Sequence, residues 1–157
     1  MSHYLKFYMK IIMNIKIIFF LIFLPFFAIS HEVNMEDKNV EQIVKERMGK
    51  MSKIKALSTK MYPLTMSGEF DEIKKFNDNM LHNAKEFKQL FPEGSQGGKA
   101  SSLIWEDREK FDLYINNFIK SIEDISESIE NEDSVSIVEN FNIMTSKCGI
   151  CHKKFKN

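Results

Sequence analysis

The chain has 157 residues with 22 basic and 22 acidic side chains, six Gly, three Pro and two Cys. That length suits one domain, and so few glycines and prolines exclude a collagen-like or turn-rich all-β architecture. A neutral balance without a basic block argues against a nucleic-acid surface, and two cysteines cannot staple a disulfide-dense scaffold.

Residues 1–30 form a separate population. They contain Lys6, Lys10 and Lys16, no Asp or Glu, and six of the fourteen Phe. Residues 11–29 are almost continuously apolar, interrupted by Asn14, Lys16 and Pro25. The apolar core, residues 17–24 and then 26–28, is about a dozen residues, short of the ~20 that a spanning helix needs. Lys16 before it and the small-x-small sequence Ala28-Ile29-Ser30 after it fit a secretory signal peptide, cleaved to start the mature chain at His31. Met13, opening the segment MNIK, offers an alternative start. The rival reading is an uncleaved N-terminal anchor, and both readings place the domain outside the cytoplasm, with no membrane association once the signal is removed. Residues 31–157 then carry 19 basic side chains, the 22 less those three lysines, against 22 acidic ones.

The rest of the chain reads as four helices on a 3–4 repeat. The first carries Val40, Val44, Arg47, Met51, Ile54, Ser58 and Met61 inward, with Ile43 and Leu57 flanking. Pro63 and the stretch to Gly68 separate it from the second, with Ser67 as a cap. The second carries Phe70, Ile73, Asn77, Met80, Ala84, Phe87 and Phe91. A glycine-rich loop over residues 91–98 follows. The third helix carries Ile104, Arg108, Phe111, Ile115, Phe118, Ile122, Ile125 and Ile129. Asn131-Glu132-Asp133 ends it, with Asp133 or Ser134 capping the fourth. The fourth carries Val138, Phe141, Thr145, Cys148, His152 and Phe155. Four amphipathic helices with short links bury their stripes as an antiparallel four-helix bundle, so the fold class is all-α. Arg47, Asn77, Arg108 and His152 are unusual in such a seam. Either the arginines lie near bundle ends and reach water, or something besides side chains fills the bundle.

Both cysteines lie in Cys148-Gly149-Ile150-Cys151-His152, the C-x-x-C-H attachment signature of c-type haem. Thiols three apart on a helix lie on nearly one face, so each can add to one vinyl group of a single porphyrin. The imidazole of His152, four residues after Cys148, then reaches the iron. Three other chemistries fit less well. A thioredoxin-like C-x-x-C needs a βαβ context that is absent here. A zinc site needs a fourth ligand, and neither His31 nor His82 has ligand-like spacing. A structural disulfide leaves His152 and the polar seam without a purpose. One covalent haem c, with its iron, is therefore the expected cofactor. No nucleophile–base pair or phosphate-binding loop marks the chain as an enzyme.

With the motif on the last helix of a four-helix bundle, the chain resembles the class II c-type cytochromes, meaning cytochrome c′ and its low-spin relatives of the cytochrome c-556 type. The resemblance covers the whole mature chain. It rests on Arg47-Met48-Gly49-Lys50-Met51, on the loop of residues 92–98 followed by Ile104-Trp105, and on Cys148 to Lys156 with its aromatic and basic residues after the histidine. It implies a haem wedged in the bundle with His152 as proximal ligand, the first helix over the distal face and Arg47 at a propionate. Met48 stands where relatives often have a haem-contacting Gln, and Gln96 stands where they often have a polar residue near the haem edge. Redox partner proteins in the periplasm, small gas ligands and an antiparallel homodimer are the associations that the resemblance implies.

The distal position separates two functions. A methionine bound to iron gives a six-coordinate centre suited to electron transfer; a side chain that stays off the metal leaves it open to nitric oxide or carbon monoxide. Met51, four residues after Arg47, is the inward candidate, and Met48 is the second. Methionine is also a common gap-filler, so spacing alone leaves both functions open. Lys153, Lys154 and Lys156 complement the helix dipole and offer a docking patch for a redox partner.

Overall fold

The computed structural model describes residues 38–157; the signal-peptide reading and its cleavage site lie outside the described residues. Five helices follow in chain order: α1 (Val40–Leu64), α2 (Phe70–Lys88), the short α3 (Leu103–Glu106), α4 (Arg108–Glu130) and α5 (Ser134–Phe155). The four long ones run up, down, up and down. α1 packs on α2, α2 on α4 and α4 on α5, while α1 and α5 share no continuous seam. Three sides of the bundle are thus closed by helix packing, and the fourth is not.

The core is built from the expected stripes. Ile54, Leu57 and Met61 meet Ile73, Met80 and Ala84, and these meet Ile115, Ile122 and Ile125 from α4, with Ile137, Phe141 and Met144 from α5. Burial of such side chains contributes roughly 1.5–3 kcal/mol each. In α1 and α5 the repeat divides in two. Ile43, Arg47, Ile54, Leu57 and Met61 are buried against neighbours, whereas Val44, Met51 and Ser58 are only half-buried. In α5, Ile137 and Met144 take the core positions; Val138 is half-buried and Thr145 is exposed. The second stripe of each helix faces the unpacked side.

Local boundaries follow side-chain chemistry. Asn39 caps α1 by accepting from the Gln42 amide at 2.9 Å, and the Gln42 side chain accepts from the Asn39 amide at 3.1 Å, a capping box. Asp133 caps α5 through the amides of Val135 and Ser136, both at 3.1 Å. Pro63 does not end α1: the helix runs through it to Leu64. The ring sits in the last turn, where few further backbone bonds depend on it, and the Thr65 hydroxyl donates to the Tyr62 carbonyl at 2.8 Å as the helix stops. Ser67 is not the cap of α2 either; its hydroxyl donates back to Leu64 at 3.0 Å. The third predicted helix is broken at Asp107, whose backbone (φ −127°, ψ 60°) leaves the helical region. The break has a tertiary cause: Trp105 Nε1 donates to the Pro92 carbonyl at 2.9 Å and Arg108 to the Phe91 carbonyl at 2.7 Å, fixing both sides of the joint to the preceding loop.

Asn77 is fully buried and ties α2 to α4, its amide donating to Ser126 Oγ at 2.8 Å and to the Ile122 carbonyl at 3.2 Å. It does not meet Arg108, which is half-exposed and pairs with Asp112 at 3.1 Å.

The glycine-rich loop is held from two directions. A Cβ on Gly98 (φ +64°) would stand 3.0 Å from Val44 of α1, tighter than ordinary contact. On the other side, Ser101 N–H donates to the Phe155 carbonyl and Asn157 N–H to the Lys99 carbonyl, both at 3.0 Å, strapping the loop to the chain's end. Gly98→Ala combines left-handed backbone, worth about 1–2 kcal/mol for an L-residue, with displacement of Val44. We expect it to lower unfolding free energy by about 1–3 kcal/mol in guanidinium titrations; an unchanged midpoint would mean that the loop conformation is not under this constraint.

Candidate functional site

A cavity of about 620 Å³ opens along the unpacked side, between α1 and α5. That is within the roughly 300–1,000 Å³ range of cofactor pockets. Its floor is aromatic and aliphatic, with Phe87, Phe91, Phe111, Ile115 and Phe118 reaching in from α2, α4 and the loop. The rings are packed edge to face: Phe91 and Phe111 centroids lie 4.7 Å apart, and Phe111 and Phe155 lie 5.4 Å apart. At the far end of the bundle, Tyr62 of α1 and Phe141 of α5 approach to 5.9 Å. There the two helices come together and the opening ends.

The α5 wall presents Cys148, Cys151 and His152 to the cavity, and the α1 wall presents Val44, Arg47 and Met51. Both cysteines are free and half-buried. Burial pushes the Cys148 thiol up, and burial followed by its neighbour Cys148 pushes Cys151 up to about 11. Both sulfurs are therefore protonated thiols at neutral pH. Burial, with a further contribution from Lys156, lowers the His152 pKa. The imidazole is thus held neutral, the form that donates a lone pair to a metal.

Arg47 is 5% exposed, and burial lowers its pKa. One guanidinium nitrogen donates to the Ser95 carbonyl of the loop. The group lies over the rings of Phe91 and Trp105, 4.8 and 5.5 Å from their centroids. Its Nη1 is buried with no partner. An incompletely paired buried cation costs several kcal/mol, and a carboxylate entering the cavity would complete it. A flat, apolar macrocycle with acidic substituents fits this arrangement: apolar floor, two thiols and an imidazole on one wall, an unsatisfied guanidinium on the other.

The site residues read from the sequence are distributed unevenly. Cys148, Cys151, His152, Arg47 and Met51 line one cavity. Gln96 is exposed and outside the lining, which takes Gly97, Gly98 and Lys99 from that loop instead. Met48 reaches the rim and is 62% exposed. The roles of the Ser95 carbonyl, Met144 and Lys99 went unrecognised; each depends on where a loop or a helix face lands, which residue type does not encode.

A family profile described as Cytochrome C′ matches residues 42–156. Cytochrome c-556 of Rhodopseudomonas palustris is 24% identical over 137 residues, covering 83% of this chain and 87% of the relative. A solved cytochrome c′ superposes with a TM-score of 0.73 at 21% identity, covering 78% of this chain and 100% of its own. A ferrous variant of cytochrome c prime from Alcaligenes xylosoxidans with bound nitric oxide superposes at 0.74, with 22% identity, 78% of this chain and 98% of its own.

Proposed function

The chain belongs to the cytochrome c′ family, whose members carry covalent haem c, and we propose that it is a periplasmic one-electron carrier with iron held by His152 and Met51. In this reading Cys148 and Cys151 supply the thioethers and Arg47 pairs with a propionate. The single observation that carries it is Met51 on the α1 wall of the cavity that His152 lines from the α5 wall. When bound, the haem supplies an Fe(III)/Fe(II) couple, and His/Met ligation raises its potential.

The chain's contribution is placement. His152 and Met51 project from long helices rather than loops, so both side chains are held in position whichever way the electron moves. The neutral imidazole is ready to ligate without losing a proton. The aromatic floor gives the pocket an apolar lining. Residues 1–30, read as an export signal, support a periplasmic location.

A second reading is gas binding, with Met51 packing over an open distal position. The nitric oxide complexes among the similar structures support it. Optical spectra of the haem-loaded protein, ferric and ferrous, with and without carbon monoxide, separate the two. Electron carriage predicts a sharp ferrous α band unmoved by carbon monoxide. A broad high-spin spectrum that shifts on adding carbon monoxide would replace it with gas binding. A chain that gains no haem beside cytochrome c maturation machinery would overturn both.

A further inference from the structure

Among the described residues, four lysines, Lys55, Lys99, Lys147 and Lys156, line the cavity, and no carboxylate does. None of the four takes part in an ion pair among the described residues. Lys153 and Lys154 lie in the last turn of α5, which Lys156 follows directly. The last 18 residues contain four lysines and neither Asp nor Glu.

The opposite end of the bundle is richer in carboxylates, although Lys60, Lys74 and Lys75 stand there on α1 and α2. Residues 121–139 contain seven carboxylates and no basic side chain. Glu69, just before α2, and Asp71 and Glu72 in its first turn stand beside them, and these three with Glu127, Glu130 and Glu132 are outside any ion pair among the described residues. Over residues 38–157 the charges balance, 22 of each sign in the chain less three of each before residue 38. A balanced domain therefore carries a separated field, positive at the cavity mouth. Glu41, Glu93, Glu106 and Glu109 share that end, but they sit on the first turn of α1, the loop, α3 and α4, outside the lining.

We propose that this lysine rim is the docking surface for a one-electron redox protein that presents an acidic face. The partner gives one electron to the bound haem or takes one from it, and no bond or proton is exchanged. A haem brings two propionates, and Arg47 inside the cavity offsets one of them, so the rim stays cationic with the cofactor in place. The helix dipole explains favourable lysines at the end of α5, but it does not explain Lys55 on α1 or Lys99 in the loop. Opposite surface potentials raise encounter rates by roughly 10–10³ and lose that gain as salt screens them.

This proposal rests on the haem reading, and the test keeps the two apart because the optical spectrum is recorded first. The ferrous holoprotein is mixed by stopped flow with ferricyanide, which takes one electron to become ferrocyanide, and separately with the cationic oxidant tris(phenanthroline)cobalt(III). Residues 31–157 carry an excess of acid, so net charge alone would make ferricyanide the disfavoured probe. The rim predicts a ferricyanide rate that falls about tenfold from low salt to 0.3 M, with the cobalt rate rising or flat. Poly-L-glutamate, standing in for an acidic protein face, should suppress the ferricyanide rate. The variant Lys55→Gln/Lys99→Gln/Lys147→Gln should remove most of the salt dependence with its spectrum unchanged, while Lys75→Gln on α2 should not. Salt-independent ferricyanide rates, a triple variant equal to the parent, or no competition by poly-L-glutamate would each overturn the docking surface while leaving the haem assignment standing.

Discussion

Replacing Cys148 and Cys151 together with serine is expected to abolish retention of haem by the denatured polypeptide, from complete to none on a haem-stained denaturing gel. Either single substitution should keep haem attached through the remaining sulfur. The expectation follows from both thiols lying on one face of α5 and lining one cavity with His152. Serine preserves size and helix, and it removes only the sulfur that adds to a vinyl group. The double variant should also melt on the order of 10 °C or more below the parent, because a dissociable ligand stabilises less than a tethered one and because Phe87, Phe91 and Phe111 then face water whenever the cavity empties. A denatured double variant that still carries haem would mean attachment elsewhere in the chain.

Met51→Leu is expected to convert a low-spin six-coordinate spectrum into a high-spin one that responds to carbon monoxide. Leucine and methionine exchange in cores for less than about 1.5 kcal/mol, so the bundle should stand and the change should report ligation rather than unfolding. Met48→Leu is the matched control one turn away. Met48 is mostly solvent-exposed at the rim, so its loss should leave the spectrum alone. If Met48→Leu, and not Met51→Leu, opened the iron to carbon monoxide, the two methionines would exchange roles. If neither did, neither methionine would be the sixth ligand and ligation by Met51 would be overturned.

Local, periodic features of the chain are legible in its sequence, and features set by tertiary contact are not. The 3–4 spacing located all four long helices, and the C-x-x-C-H motif located the cavity's α5 wall, because both signals are local and periodic. Periodicity cannot distinguish a residue that faces another helix from one that faces a cavity. Met61 and Met51 share one stripe of α1, although Met61 is buried in the core and Met51 lines the opening. Pro63 read as a terminator because its effect on the ladder is general, whereas its cost depends on how much helix follows. The break at Asp107 and the buried pairing of Asn77 with Ser126 come from contacts made across the fold. Gln96 was placed by resemblance, but the turn of the loop sends Gly97, Gly98 and Lys99 to the cavity instead.

The absent seam between α1 and α5 bears on how the chain folds. Those two helices are the pair farthest apart in sequence, and closing the longest loop carries the largest entropic penalty of any helix pairing in the bundle. Every packed seam instead joins consecutive long helices, giving a low contact order of the kind associated with fast folding. The polypeptide can complete two hairpins and their junction from near-neighbour contacts alone. Beyond the Tyr62–Phe141 contact, a haem attached at Cys148 and Cys151 would supply the remaining, most distant connection, from α5 across to α1. Topological closure of the bundle would then be a chemical event with its own timetable, separate from the collapse of the chain.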